Sequence, residues 1–352
     1  MKKKISIHDI ARHLKVSSAT VSLVLNGKAE ANRIRKEVAD AITTYARAVD
    51  YRPNLVAKSL RTGKSRIIGM LVEGISNPFF AGIASYVEKE AYKAGYKLFY
   101  SSTENNSERA RDLLRAFRER QVDAYIIAPT SGIEPEIKSI IDDNYPVIIF
   151  DRQLPALDAT TIVIDNYKGA FAGVNHLYKN GFGHVALVTL DSQQLQMKDR
   201  ERGYLEATKK AGADPFLLKL PYDAGHDENV KNIRRFLSEH EMLNGILFAT
   251  NYLALAGLEA IRKMRYSMPD DIAVVAFDDI SFFSLLTPSV TAVAQPVREI
   301  AHEIMQQLKL KLSGPATAGK NKTTILKTEL IIRESSFGGL KVGAKGKRKV
   351  GA

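Results

Sequence analysis

Several short polar segments in this 352-residue chain stand where apolar runs end. Ser76-Asn77-Pro78-Phe79-Phe80 comes after Ile67–Val72, and Asp151-Arg152 after Val147–Phe150. Arg200 opens Arg200-Glu201-Arg202-Gly203-Tyr204. Asn251 comes after Gly245–Ala249, Asp278-Asp279 after Ala273–Phe277, and Gln295 after Val293-Ala294. Sugar hydroxyls both donate and accept hydrogen bonds, so mixed carboxylates, amides and guanidiniums suit a polyhydroxylated molecule. The rings of Phe79 and Phe80 can lie on its apolar face. Taken singly, each position has a plainer reading. Asn77 can be only a helix cap, Phe80 only core, Asp151 and Arg152 only each other's partners, and Asp279 a loop contact. Together, at strand ends, they favour a binding pocket.

Catalysis is a weaker reading. Asp278 and Asp279 are adjacent, so their side chains diverge, which is poor for acid–base work on one bond. Cys is absent and the seven His are scattered, which leaves no thiolate site and no metal-ligand spacing. Gly314–Asn321 nearly spells a phosphate-binding loop, but it ends in Asn and no apolar strand precedes it. Neither a cofactor nor a metal is expected.

Buried strands alternating with amphipathic helices must position these residues. Strands are expected at 67–72, 97–101, 124–128, 147–150, 185–190, 217–220, 245–249 and 273–277, and a last one at 325–332. Helices are expected between them, including 200–211, 253–265 and 295–312. This pattern predicts parallel sheets covered on both faces, in two α/β lobes with a ligand between them at the strands' carboxyl ends. Residues 67–337 form that body. Lobe one is expected at about 67–165 and 291–320, and lobe two at about 166–290 and 321–337.

The charge is uneven. Residues 1–66 hold 15 Lys/Arg against five Asp/Glu, and residues 67–337 hold 31 against 34. A basic head on a near-neutral body suits a nucleic-acid binder. Residues 7–14 and the segment after Ser17-Ser18 read as two short helices around a tight turn, and a third helix runs from 34 to 49. This is a helix-turn-helix, all-α, over residues 1–51. Residues 52–66 read as a hinge helix and linker, too short to be stable alone. The basic, Gly-rich tail, 338–352, is expected to be disordered. The N-terminus lacks the apolar stretch of a signal peptide, which predicts a cytoplasmic, nucleoid-associated protein without membrane contact.

Ile7-His8-Asp9-Ile10-Ala11, Val16 through Asn26, Tyr51-Arg52-Pro53-Asn54 and Ala57-Lys58-Ser59-Leu60-Arg61-Thr62 resemble, in order, the head and hinge of the LacI/GalR family. The body resembles that family's periplasmic-binding-protein-like core. The resemblance implies a homodimeric repressor on double-stranded operator DNA, controlled by a sugar-like effector. It places Ser18, Ala19 and Leu23 on base edges, and Ser17, Thr20, Ser22 and Asn26 on phosphates. It adds Asn54, Lys58 and a minor-groove wedge, Leu60. It also carries ligand contacts onto Asn77, Phe79, Asp151, Arg152, Arg200, Asn251, Asp278 and Gln295. Leu23 stands where the family commonly has Arg, the stretch 27–33 is longer than usual, and Tyr252 stands where Asp is frequent. The alternatives are a transport-type sugar-binding protein with no DNA role, and a regulator that needs its ligand as corepressor.

Overall fold

The computed structural model describes residues 5–51, 63–314 and 321–337. The hinge residues Asn54, Lys58 and Leu60 and the tail lie outside them. The chain forms two compact units, Met1–Ser65 and Arg66–Ala352.

In the first unit, α1 (Ile7–His13), α2 (Ser18–Leu25) and α3 (Lys36–Ala48) enclose Ile10, Ala11, Val21, Val24, Ile42 and Ala46. Ser6 and Asp9 form a reciprocal capping box on α1. Ser17 caps α2 by accepting from the Thr20 amide at 2.9 Å. The long stretch before α3 is filled by a 3₁₀ turn, Glu30–Asn32, with Ala29 and Ile34 packed on the head core. The third helix therefore starts at Lys36 rather than Ile34.

The second unit holds two six-stranded sheets. In chain order the first lobe has β1 (Ile67–Val72), α4 (Pro78–Lys93), β2 (Lys97–Ser102), α5 (Ser107–Glu119), β3 (Ala124–Ile127), α6 (Glu134–Asp142), β4 (Val147–Phe150) and β5 (Thr160–Ile164). The second has α7 (Asn166–Lys179), β6 (Val185–Leu190), α8 (Leu195–Ala211), β7 (Phe216–Leu220), α9 (His226–Glu239), β8 (Gly245–Phe248), α10 (Asn251–Lys263), β9 (Ala273–Phe277) and β10 (Thr291–Ala294). Then come α11 (Val297–Ser313), β11 (Thr323–Leu326) and β12 (Glu329–Ile331). The sheet orders are β11-β5-β4-β3-β1-β2 and β12-β10-β9-β8-β6-β7. All pairs are parallel except β10 with β12. Helices cover both faces. Ile68, Met70 and Val72 of β1 share a core with α4 and α11, while Leu71 joins one with α5 and α6.

The expected lobe boundaries need correction. Residues 291–294 belong to the second lobe, where β10 pairs with β9. Residues 323–326 belong to the first, where β11 pairs with β5. The strand expected at 325–332 is two strands in different sheets, separated by Lys327-Thr328. The reason lies in β5, a strand missing from the sequence reading. It is buried along its whole length, and without β11 its outer edge would carry unpaired backbone groups. The chain therefore passes between the lobes three times, after β5, after β10 and after β11.

Candidate functional site

The carboxyl ends of β1, β4, β8, β9 and β10 supply Asn77, Asp151, Arg152, Asn251, Asp278 and Gln295, and α8 adds Arg200. Asn77 caps α4 by accepting from the Phe79 amide at 3.1 Å. It also reaches across the lobes, since Asn251 Nδ2 donates to Asn77 Oδ1 at 3.1 Å. The same Nδ2 donates to Asp278 Oδ2 at 3.1 Å, and Gln295 Nε2 donates to Asp278 Oδ1 at 2.5 Å. Asp279 turns away and takes a bidentate ion pair from Arg333 at 2.8 and 2.7 Å. The adjacent carboxylates do diverge.

Arg152 is buried and ion-paired with Glu73. Its Nη1 donates to Asn105 Oδ1 at 2.9 Å and to the Pro129 carbonyl at 3.0 Å. Gln194 of the second lobe donates to the same Asn105 oxygen at 3.1 Å, a second bridge between lobes. Asp151 lies 3.5 Å from Arg152 Nε. Burial pushes the Asp151 carboxyl up to about 6, opposed by the Arg152 and Arg200 cations.

Arg200 sits in the second turn of α8, not at a helix start as expected. Its Nε donates to Asn166 Oδ1 at 2.8 Å and its Nη1 to the Ala249 carbonyl at 2.6 Å. The guanidinium lies 3.7 Å over the Phe277 ring. Burial pulls its pKa down, while Asp278 and Asp151 oppose that shift. One turn on, Gly203 lets α8 press against α7, because a Cβ there would fall 2.3 Å from the Tyr167 carbonyl oxygen. That approach brings Arg200 within reach of Asn166.

Phe79 and Phe80 are both buried in the first-lobe core. Phe80 meets Phe150 edge-on at 6.2 Å. Tyr252 and Tyr222 lie near Glu73, and burial followed by the Glu73 charge raises both phenol pKa values. Glu73, Asn105, Asn166, Gln194 and Tyr222 were not singled out from sequence. Glu73 had a local signal, since it ends the β1 run just before Ser76-Asn77.

In the head, Val21 and Val24 turn inward while Ser17, Ala19 and Asn26 are exposed and Ser18, Thr20, Ser22 and Leu23 are half-buried. Thr20 Oγ1 lies 2.8 Å from Ser17 Oγ, and Asn26 Nδ2 donates to the Ser22 carbonyl at 2.7 Å. Among the described residues no cluster of His, Asp and Glu could hold a metal ion, and no helix is long and apolar enough to cross a membrane.

Residues 6–54 match the domain described as bacterial regulatory proteins, lacI family, and residues 174–336 match the periplasmic binding protein-like domain. The HTH-type transcriptional regulator RegA of Clostridium saccharobutylicum is 31% identical over 94% of this chain and 99% of its own. The ribose operon repressor of Halalkalibacterium halodurans is 29% identical over 95% and 98%. In fold, the chain is similar to the lac repressor dimer bound to operator and the anti-inducer ONPF, with TM-score 0.82 and 20% identity over 96% and 100% of the two chains. It is also similar to the transcriptional regulator CelR–cellobiose complex, with TM-score 0.67 and 20% identity over 94% and 99%. With a capped helix-turn-helix, a two-lobed body and relatives matched over nearly their whole length, this chain belongs to the LacI family of DNA-binding transcriptional regulators.

Proposed function

We propose that this regulator represses transcription as a homodimer on a near-palindromic operator and is released by a sugar-class effector held between its lobes. The observation that carries the reading is the polar ring fed by both lobes. Asn77 and Asn251 meet across the cleft, with Asp278, Gln295, Asp151, Arg152 and Arg200 around them. The relative named as a ribose operon repressor fits a sugar effector. Phe79 supplies the apolar surface, with Phe80 as its support. Divergence of Asp278 and Asp279 favours binding over turnover.

In the head, the start of α2 carries Ser18, half-buried, and Ala19, exposed, and Leu23 lies one turn further on. These three are the candidates for base edges. Leu23 has no donor, so it can offer only apolar contact, as to a thymine methyl. Ser17, Thr20, Ser22 and Asn26 hold phosphates, a role compatible with capping because both use the helix N-terminus. Asn54, Lys58 and the wedge Leu60, outside the described residues, complete the interface. On this reading the protein works in the cytoplasm, on the nucleoid.

The test is fluorescence anisotropy on an operator selected by the protein itself from random DNA, titrated with neutral aldoses. One sugar is expected to lower operator affinity and to raise the melting temperature. A sugar that binds and raises operator affinity reverses the sign to corepression. No DNA selected above background would remove the operator reading.

A further inference from the structure

Resting on the cleft as the effector site, we propose that the effector is electrically neutral and that Glu73 is the residue that turns anionic sugars away. An arginine beside a ligand normally clamps carboxylates or phosphates through its fork of donors. Here Arg152 is already engaged. It is ion-paired with Glu73, its Nη1 serves Asn105 and the Pro129 carbonyl, and its Nε faces the Asp151 carboxylate at 3.5 Å. Nε has no hydrogen-bond partner, but the nearest charge to it is negative. Arg200 is engaged through Asn166, the Ala249 carbonyl and the Phe277 face.

The cleft therefore presents Glu73, Asp151 and Asp278 against two guanidiniums that both have partners in the protein. A phosphate or carboxylate entering would add negative charge to a buried cleft in which three carboxylates already face two guanidiniums. A neutral polyol meets the opposite situation. Its hydroxyls can donate to Asp151 and Asp278 and accept from the protonated phenol of Tyr252, while the Tyr222 hydroxyl is already hydrogen-bonded to Glu73.

The experiment is calorimetric titration of the full-length chain at neutral pH with ribose, xylose and glucose, and with ribose 5-phosphate, glucose 6-phosphate and gluconate. The neutral sugar that binds is expected to do so at least about tenfold more tightly than its charged counterpart. Glu73→Gln frees Arg152 and should shrink that ratio about tenfold or reverse it, while Glu73→Asp keeps the charge and the ratio. The ratio is the readout because a general loss of folding lowers both affinities. A phosphorylated or carboxylated sugar that binds the wild type as tightly as its neutral parent overturns the inference, as does an unchanged ratio in a folded Glu73→Gln. If a neutral sugar binds with this selectivity yet leaves operator affinity untouched, the gated-regulator reading fails and the neutrality inference stands.

Discussion

Asp151 and Asp278 occupy equivalent places in the two lobes and reach the cleft by the same backbone device. Each follows the apolar strand at the middle of its sheet, and each has a positive φ, 66° and 73°. Each donates its amide to the neighbouring strand at 3.0 Å, Asp151 to the Ile162 carbonyl and Asp278 to that of Val293. The left-handed kink costs a non-glycine residue about 1 kcal/mol or more, least for Asp and Asn. In return, the side chain leaves the sheet and points to the interlobe space. One carboxylate per lobe is a geometry that can couple ligand to lobe position.

The two carboxylates differ in their partners, and that difference predicts a pH dependence. Asp278 accepts from the side-chain amides of Asn251 and Gln295 and from the Asn251 backbone N–H, whereas Asp151 meets Arg152 Nε at 3.5 Å and its side chain is 9% exposed. Burial raises Asp151 to about 6, above its unfolded value. The folded state thus holds this proton more tightly, so the group's contribution to stability is full at low pH and is lost as pH rises toward 6. The penalty above that point is on the order of 3 kcal/mol. Asp151→Asn should raise the ligand-free melting temperature at neutral pH and change it little near pH 4, where the wild-type group is protonated. Sugar hydroxyls donating to Asp151 favour its ionised form, so effector affinity should rise between about pH 5 and 7. Melts and titrations at both ends of that range measure these effects.

Asp278→Asn changes one acceptor oxygen to a donor facing the Asn251 or Gln295 amide, and Arg200→Lys loses the fork that spans Asn166 and Ala249. Each should weaken effector binding by about 10- to 100-fold, equivalent to roughly 1.5–3 kcal/mol for a hydrogen bond to a charged group. Operator affinity without effector should stay near wild type. Effector titrations and anisotropy measure the two separately, and unchanged effector affinity in both variants would place the ligand elsewhere.

Most strands are legible in the sequence because parallel strands buried on both faces read as unbroken apolar runs. β5 is not, since it opens Thr160-Thr161 soon after the polar loop at Pro155. The exchange of β10 and β11 between lobes depends on which open sheet edge each strand meets, and no local pattern carries that. The cleft follows the same rule. Asn77, Asp151, Asn251, Asp278 and Gln295 are visible as polar residues at strand ends. Glu73 and Asn105 gain their roles only by meeting Arg152, 79 and 47 residues away.

The Ser17 hydroxyl caps α2, and the proposed interface also gives it a phosphate. Substitution can separate the roles. Ser17→Ala should cost the head about 1 kcal/mol through loss of the cap. Ser17→Asp keeps a good cap but sets a carboxylate against the DNA backbone. Hydrogen exchange of the α2 amides should show wild-type protection in Ser17→Asp, while its operator affinity falls as much as that of Ser17→Ala or more. Wild-type DNA affinity in Ser17→Asp would remove the phosphate role.

Fifteen Lys/Arg against five Asp/Glu in residues 1–66 predict binding dominated by counterion release. Operator affinity should fall on the order of a thousandfold or more between about 50 and 200 mM salt, if six or more phosphates are contacted. A flat salt dependence in anisotropy titrations would contradict the electrostatic account.

The bridge from Asn77 to Asn251 makes the lobes' relative position sensitive to a few polar atoms. A ligand that takes over these amides must replace a direct bond of 3.1 Å with bonds through itself, and the nearby Asn105–Gln194 bridge must adjust with it. Asn77→Ser retains an α4 cap but shortens the arm, and Asn251→Ser shortens the other side. If the bridge acts as a unit, the double variant should lose less than the sum of the singles. The coupling should be about 0.5–1.5 kcal/mol, the worth of one hydrogen bond. Each single should weaken effector binding by about tenfold and shift the effector concentration that changes operator occupancy by the same factor, because binding and response share one free energy. Calorimetry with effector and anisotropy with operator, on the four members of the cycle, supply both numbers. Additive losses in effector affinity would show that Asn77 and Asn251 act independently, and a response that moves without the affinity would place the coupling outside this bridge.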